Sequence, residues 1–313
     1  MTLQRISRKT VLTLVVLAGA AYFLLPQFAD LPGIVEQVKD ANWAWLPAVL
    51  MASAVTYVGA TMSLGGAIAQ RVPIGPLFVT QVGSAFANKI TPAGIGGMAL
   101  NIRFLEKQGI DRPVAVSGVG MNTLAGFVGH MTLMLVFLLW SGRDTFGGFR
   151  LPHPTWFVLG ALIAVALAGL AMAVRSTRRM VIDELVPILQ RAGQGMGDVL
   201  RRPGKVARLF AGTLVVTSSY LASMYLSTRA FGGGLPFATV GAVFLVGAAV
   251  ASAAPTPGGL GAMEAALIAG LVAAGLDAAV AVPAVFLYRL CTFWFPVLPG
   301  WASFLWLQRR ELI

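Results

Sequence analysis

The sequence contains few charged side chains and very few residues that could form disulfides or metal sites. Only 11% of its 313 residues are charged, whereas soluble domains carry about a quarter. Its single cysteine, Cys291, excludes an internal disulfide, and two histidines argue against a histidine-rich metal site. These shortages exclude an ordinary soluble domain and a disulfide-stabilised fold. We expect no metal and no cofactor.

Apolar residues are abundant instead, at 57% of the chain. A helix needs roughly 20 apolar residues to cross about 30 Å of hydrocarbon. Six runs meet or nearly meet that length: 11–28, 44–69, 113–140, 156–174, 209–231 and 279–307. Two more runs, 74–108 and 237–275, are each interrupted by a Pro/Gly cluster and leave halves too short to span. The sequence therefore predicts an all-α polytopic membrane protein with six transmembrane helices and two re-entrant broken-helix hairpins, 74–110 and 237–276.

The basic residues predict how the chain is oriented. Lysine and arginine number 23 against 12 acidic residues, and with the N-terminus inside, 17 of the 23 fall on the cytoplasmic side, as the positive-inside rule requires. Four fall outside, and Lys89 and Arg289 fall at membrane depth. We expect a bacterial-type plasma (inner) membrane protein with both termini cytoplasmic, and no nucleic acid as partner. The run 11–28 could be a signal peptide, but we expect an uncleaved anchor.

The linker 175–208 holds eight of the cytoplasmic cations. Apolar residues within it are spaced for one helical face, which is typical of a helix lying on anionic lipid headgroups. A solvated loop that only orients the chain explains the charges equally well. Gly204-Lys205 lacks the other residues of a phosphate-binding loop, so no ATP site is expected.

The chain contains an internal repeat. Residues 91–98, TPAGIGGM, align with 256–263, TPGGLGAM, and Gly109-Ile110-Asp111 aligns with Gly275-Leu276-Asp277 at nearly the same offset. The two repeats are 1–140 and 156–313. Counting crossings puts both ends of the first broken segment inside and both ends of the second outside. The halves are thus predicted to be inverted, which is typical of transporters whose site lies near the midplane.

Each break is expected to begin a new half-helix whose N-terminus points to the membrane centre. Pro92 and Pro257 remove a backbone donor and disfavour helix at the preceding threonine. Because lipid cannot satisfy freed backbone groups, these tips should face protein or a hydrated cavity. Two helix N-termini, starting near Gly97 and Ala262, would favour an anion such as phosphate.

The ionisable residues at depth are candidate functional groups, because such groups are costly in a membrane. Glu264 is the only acidic residue that falls deep, and we expect it to pair with Lys89 or Arg289. Alternatively, these cations are structural ion-pair partners. Arg103 lies far enough from its tip for snorkelling to be an equal explanation. His130 is interpreted as a hydrogen-bonded packing residue rather than a proton relay.

The broken segments carry a family resemblance. Asn88, the run from Thr91 to Gly97, Arg103, the run from Pro255 to Gly261, Glu264 and Tyr288-Arg289 resemble the lysylphosphatidylglycerol synthase transmembrane family, which includes the flippase domain of the multiple peptide resistance factor. Ala93 departs from the glycine found at its position in the other motif. The resemblance implies lipid movement between leaflets. Relatives carry a soluble aminoacyl transferase domain, which we do not expect here because the sequence ends at Ile313.

These observations predict a lipid flippase-like transporter that binds a phospholipid or lipid phosphate at the paired tips, with Glu264 switching by protonation or ion pairing. The alternatives are a proton- or cation-coupled transporter of a soluble anion and a non-transporting regulator of envelope assembly. An enzyme is not expected, since no nucleophile, base or metal set is visible. The expected partners are membrane phospholipids and, as an open possibility, a second copy of the chain. The candidate substrate-binding residues are Asn88, Lys89, Thr91, Pro92, Gly94, Gly96, Gly97, Arg103, Thr256, Pro257, Gly258, Gly259, Gly261, Glu264, Tyr288 and Arg289.

Overall fold

The computed structural model describes residues 38–91, 95–142, 196–252, 254 and 256–313. Two of the predicted spans, 11–28 and 156–174, lie outside the described residues, as does most of the linker 175–208. In the described ranges every regular element is helical. These elements are, in chain order, α1 (Leu46–Ala67), α2 (Ile74–Ile90), α3 (Ile95–Lys107), α4 (Arg112–Ser141), α5 (Pro203–Ala230), α6 (Phe237–Ser252), α7 (Ala262–Ala273), α8 (Ala278–Arg289) and α9 (Val297–Arg309).

Four helical segments are long and apolar enough to cross a membrane, and they coincide with four of the six predicted spans. They are Trp43–Ala67, Arg112–Ser141, Pro203–Ala230 and Ala278–Arg309. The last combines α8, a π-helical segment (Leu290–Trp294) and α9. Large apolar side chains point outward from these helices, including Leu139 at 75% exposure and Leu298 at 71%. Such faces need an apolar surrounding, so the chain is a multi-pass membrane protein.

The antiparallel helices α1 and α5 pack closely because glycines line their interface. A Cβ atom on Gly59 would lie 2.9 Å from the Gly212 carbonyl oxygen, and one on Gly212 would meet the backbone of Ser63. Lys205, at the start of α5, donates to the Gly65 and Gln70 carbonyls at the end of α1. Small residues that let backbones approach are the usual basis of tight helix pairs in membranes.

Each interrupted segment forms a helical hairpin. In the first, which comprises α2 and α3, Gln81 donates to Asn101 and Asn88 accepts from the Gly97 N–H, so the helices are antiparallel. In the second, which comprises α6 and α7, Gly247 lies beside Leu267, and Gly270 lies against Val243. The helices contain 17, 13, 16 and 12 residues. Even the longest measures only about 25 Å at 1.5 Å per residue.

The two hairpins start from opposite ends of the bundle. Val72 and Ile110, which flank the first hairpin, pack in one cluster with the C-terminal Ile313. Phe237, at the start of the second, packs instead on Tyr225 and Trp140 at the other end. The tips meet in the middle, where α2 contacts the turn Pro257–Gly259. This meeting point lies beside Phe293, halfway along the last span.

Candidate functional site

A cavity of about 530 Å³ lies where the two hairpin tips meet. This volume is within the range of ligand pockets, about 300–1,000 Å³. Its walls contain residues of both tips together with aromatic side chains of the long helices. The predicted site residues that line it are Asn88, Lys89, Thr256, Gly258, Gly259, Tyr288 and Arg289.

Lys89 contributes to the cavity an ammonium that no described residue meets as a counter-ion. Its Nζ is buried and makes no hydrogen bond within the described residues. The ammonium lies over the Phe293 ring, whose centroid is 5.2 Å away. A desolvated cation–π contact contributes about 2 kcal/mol, whereas burying an ammonium costs several kcal/mol. The ammonium is therefore stabilised incompletely by the groups around it, as expected for a group that binds an anion.

Arg289 and Glu264 form a buried ion pair beside Lys89. Arg289 Nε donates to Glu264 Oε1 at 2.6 Å, and both side chains are 8% exposed. A second guanidinium nitrogen contacts the Gly258 carbonyl oxygen at 3.3 Å, and the guanidinium stacks 4.3 Å from the Phe293 centroid. Of the two partners anticipated for Glu264, the structure thus provides Arg289. The pair joins α7, the second tip and α8 into one unit.

The N-termini of α3 and α7, the helices that follow the two hairpin tips, are capped by the protein's own side chains. The Gly96 N–H donates to Thr91 Oγ1 and the Gly97 N–H to Asn88 Oδ1. In the second hairpin, the Gly261 N–H donates to Glu264 Oε2 at 2.8 Å. The expectation that these N–H groups would be free for an anion is therefore wrong at these three residues, because side chains one turn or more away satisfy them. The anion-binding potential lies in Lys89 instead.

Thr256 adds a second unsatisfied polar group to the same cavity. It is 3% exposed, yet its Oγ1 has no hydrogen-bond partner among the described residues. Lys89 Nζ and Thr256 Oγ1 are the two buried side-chain atoms of the described chain left in this state. Because buried polar groups are normally bonded, two such atoms on residues that line one cavity mark a place for a polar ligand.

The remaining predicted site residues do not line the cavity or cannot be placed. Thr91, Gly96, Gly97, Gly261 and Glu264 lie behind its wall and shape the tips. Arg103 lies near the far end of α3, exposed and 3.6 Å from Glu106, which favours the snorkelling interpretation over substrate contact. Pro92 and Gly94 lie outside the described residues, as does the side chain of Pro257.

Phe293 is a central residue of the site that the sequence did not reveal. Its ring contacts Gly258, Lys89 and Arg289, so it touches both hairpin tips. The π-helical segment Leu290–Trp294 carries this ring, and the Phe295 N–H bonds to the Leu290 carbonyl five residues earlier. Pro296 was the sequence signal that could have indicated this π-helical segment. In a regular α-helix the N–H at position 296 would donate to the Thr292 carbonyl, and proline has no N–H. π-Helical turns of this kind often mark functional sites.

The opposite wall of the cavity consists of hydroxyl- and imidazole-bearing side chains from the long helices. Tyr57, Tyr220 and Tyr288 line it with His130. His130 Nε2 donates to the Leu245 carbonyl at 3.0 Å, as anticipated for a packing histidine, but the ring also faces the cavity. Sequence reasoning missed Tyr57 and Tyr220 because single tyrosines within apolar runs carry no motif.

Comparison with known proteins identifies the family of the chain. The family model of the lysylphosphatidylglycerol synthase transmembrane region matches residues 10–300. A search among curated proteins found no match. The match covers both hairpins, the ion pair and all the spans predicted from the sequence except the last few residues of the final one. The chain therefore belongs to the lysylphosphatidylglycerol synthase transmembrane region family.

Proposed function

We propose that the protein is a lipid flippase-like transporter, not an enzyme, and that it moves a phospholipid or lipid phosphate between leaflets. The headgroup would occupy the cavity between the hairpin tips while the acyl chains stay in the bilayer. The observation that carries this proposal is the buried, unpartnered ammonium of Lys89 in that cavity. An ionisable group at membrane depth marks a substrate path by default.

The arrangement of the hairpins supports transport. The repeated motif starts at Thr91 in the first hairpin and at Thr256 in the second. We infer that the two are re-entrant hairpins of inverted repeats, because their helices are too short to span and start from opposite ends of the bundle. Transporters of this kind alternate access by rocking one repeat against the other around a central site.

The Arg289–Glu264 pair gives the site a group that can exchange partners. Glu264 caps α7 and binds Arg289, so a phosphate entering beside Lys89 would compete with the carboxylate for the guanidinium. In this mechanism, ligand entry loosens the contact between α7 and α8 and lets the second hairpin move. Glu264 thereby acts through ion pairing, the second of the two roles expected for it.

Replacing Lys89 tests the proposal directly. In proteoliposomes containing a tail-labelled phospholipid, movement between leaflets is followed by chemical quenching of the outer label. A charge-assisted contact to phosphate is worth about 1.5–3 kcal/mol, so Lys89→Gln should slow movement by about tenfold or more. Lys107→Gln, which changes an exposed lysine at the end of α3, should leave the rate unchanged.

Equal rates for Lys89→Gln and the unchanged protein would remove Lys89 from the mechanism. Movement of a soluble anion but of no lipid would instead support secondary anion transport. Failure of the folded protein to move either class would favour a regulator of envelope assembly. Size-exclusion chromatography and thermal unfolding in detergent establish that each variant is folded.

A further inference from the structure

The meeting point of the two hairpins has an unequal number of positive and negative groups. Lys89 and Arg289 supply two positive charges, and Glu264 supplies one negative charge. Both oxygens of that carboxylate are occupied, one by Arg289 and the other by the Gly261 N–H. A ligand that enters the cavity therefore meets one uncompensated positive charge and no available carboxylate in the described walls.

No other carboxylate of the described residues lines this cavity. The other acidic residues that the structure describes lie in connections or near the ends of helices; they are Asp40, Glu106, Asp111, Asp198, Asp277 and Glu311. The imbalance therefore holds for the part of the chain that the structure describes.

Building on the proposed lipid transport, we propose that the site selects headgroups with a single phosphodiester and no amino group. The phosphate would pair with Lys89 and accept a hydrogen bond from Thr256 Oγ1, the other unpartnered atom of the cavity. Once the phosphate has bound, Lys89 and Arg289 are balanced in charge by that phosphate and Glu264, whichever anion Arg289 pairs with. An ammonium on the headgroup would add a further positive charge, and no other acid lines the described walls. Like charges brought together in a partly desolvated site repel strongly.

Aromatic rings offer an ammonium only limited compensation. Phe293 is the ring nearest the charges, and Lys89 and Arg289 already lie 5.2 and 4.3 Å from its centroid. The tyrosine hydroxyls of the opposite wall can accept from an ammonium, but they carry no charge. The family is named for a lysine-bearing lipid, and on this inference the described site disfavours that headgroup.

Binding and transport of three lipids that share acyl chains test the selectivity. Phosphatidylglycerol, phosphatidylethanolamine and lysylphosphatidylglycerol are each added to the detergent-solubilised protein for native mass spectrometry and, tail-labelled, to proteoliposomes. We expect phosphatidylglycerol to bind and move faster than either amino lipid by at least about tenfold, given one unfavourable charge contact. Lys89→Glu should reverse the order, and Thr256→Val should weaken phosphatidylglycerol binding without reversing it.

The outcomes separate this inference from the proposed function. If amino lipids bind and move as well as phosphatidylglycerol, the selectivity is refuted while transport stands. If phosphatidylglycerol binds selectively but no lipid moves, the charge selectivity stands while transport is refuted. Inorganic phosphate added as a competitor identifies the ligand source: displacement of the lipid would show that the phosphate group alone is recognised. If folded Lys89→Glu still prefers phosphatidylglycerol to the two amino lipids, the proposed role of Lys89 is refuted.

Discussion

The charges at the hairpin tips differ in how well the protein compensates them. Arg289 has a carboxylate, a carbonyl and an aromatic ring around it. Among the described residues, Lys89 has only the contact with the aromatic ring. The difference follows from geometry, since Glu264 lies one turn into α7 and faces α8, not α2. Arg289 is thus compensated before a ligand enters, and Lys89 is the group left for a ligand.

Removing Glu264 should destabilise the protein far more than removing an exposed acid. Glu264→Gln leaves the Arg289 guanidinium buried without a counter-ion, a loss of about 3–5 kcal/mol in unfolding free energy. The double variant Glu264→Gln/Arg289→Met should recover most of that loss, because no uncompensated charge remains at the pair. Thermal or denaturant unfolding in detergent micelles measures both.

Glu106→Gln is the matched control for this experiment. Glu106 forms longer ion pairs with Arg103 and Arg112, at 3.6 and 3.5 Å, and both arginines are well exposed. Such pairs contribute only about 0–1 kcal/mol, so this variant should unfold near the unchanged protein. Equal unfolding of Glu264→Gln and Glu106→Gln would mean that the buried pair has no special role in stability.

At the scale of elements, the packing of α1 against α5 depends on glycines with no room for a side chain. Gly66 and Gly212 lie against the backbones of Leu209 and Ser63. Lys205 joins the two helices as well, because its Nζ donates to the Gly65 carbonyl near the end of α1 and to the Gln70 carbonyl just after it. These two helices hold the framework around which the hairpins are arranged.

Gly212→Ala should loosen this helix pair. The added methyl group overlaps backbone atoms that cannot rotate away, so the helices must separate, at a cost of about 1–3 kcal/mol. Gly204→Ala, at the start of the same helix, meets open space and should be neutral or slightly stabilising. Unfolding temperatures in detergent compare the two, and an equally stable Gly212→Ala would contradict the close approach described for α1 and α5.

At the scale of the whole molecule, the re-entrant hairpins predict which positions share a membrane face. Cys291 is the only cysteine and is buried, so Cys291→Ala gives a background for labelling with a membrane-impermeant maleimide. Arg71→Cys and Lys107→Cys should label from the cytoplasmic side. Gly234→Cys and Asp277→Cys should label from the opposite side. All four positions are exposed in the structure.

The labelling also distinguishes hairpins from spans. A span through α2 and α3 would put Arg71 and Lys107 on opposite faces, and the same reasoning applies to Gly234 and Asp277 for the second hairpin. Either result would refute the corresponding re-entrant hairpin and with it the inverted arrangement. Intact cells expose the outer face of the membrane to the maleimide, and inverted membrane vesicles expose the cytoplasmic face. Comparing the two preparations assigns each position to a face.

The sequence by itself determined the helical membrane class, the four spans that the structure describes and both helix breaks. It also singled out Lys89, Glu264 and Arg289, whose depth in the membrane stays a prediction. Hydropathy, proline and glycine act locally, so they can be interpreted along the chain. Only the tertiary structure decided which groups compensate each other. Asn88, Thr91 and Glu264 cap the half-helices, and Arg289 forms an ion pair with Glu264. The Phe293 ring contacts both hairpin tips. These pairings join residues that are far apart in sequence. They form because the packed helices bring each buried donor or charge close to its partner in space.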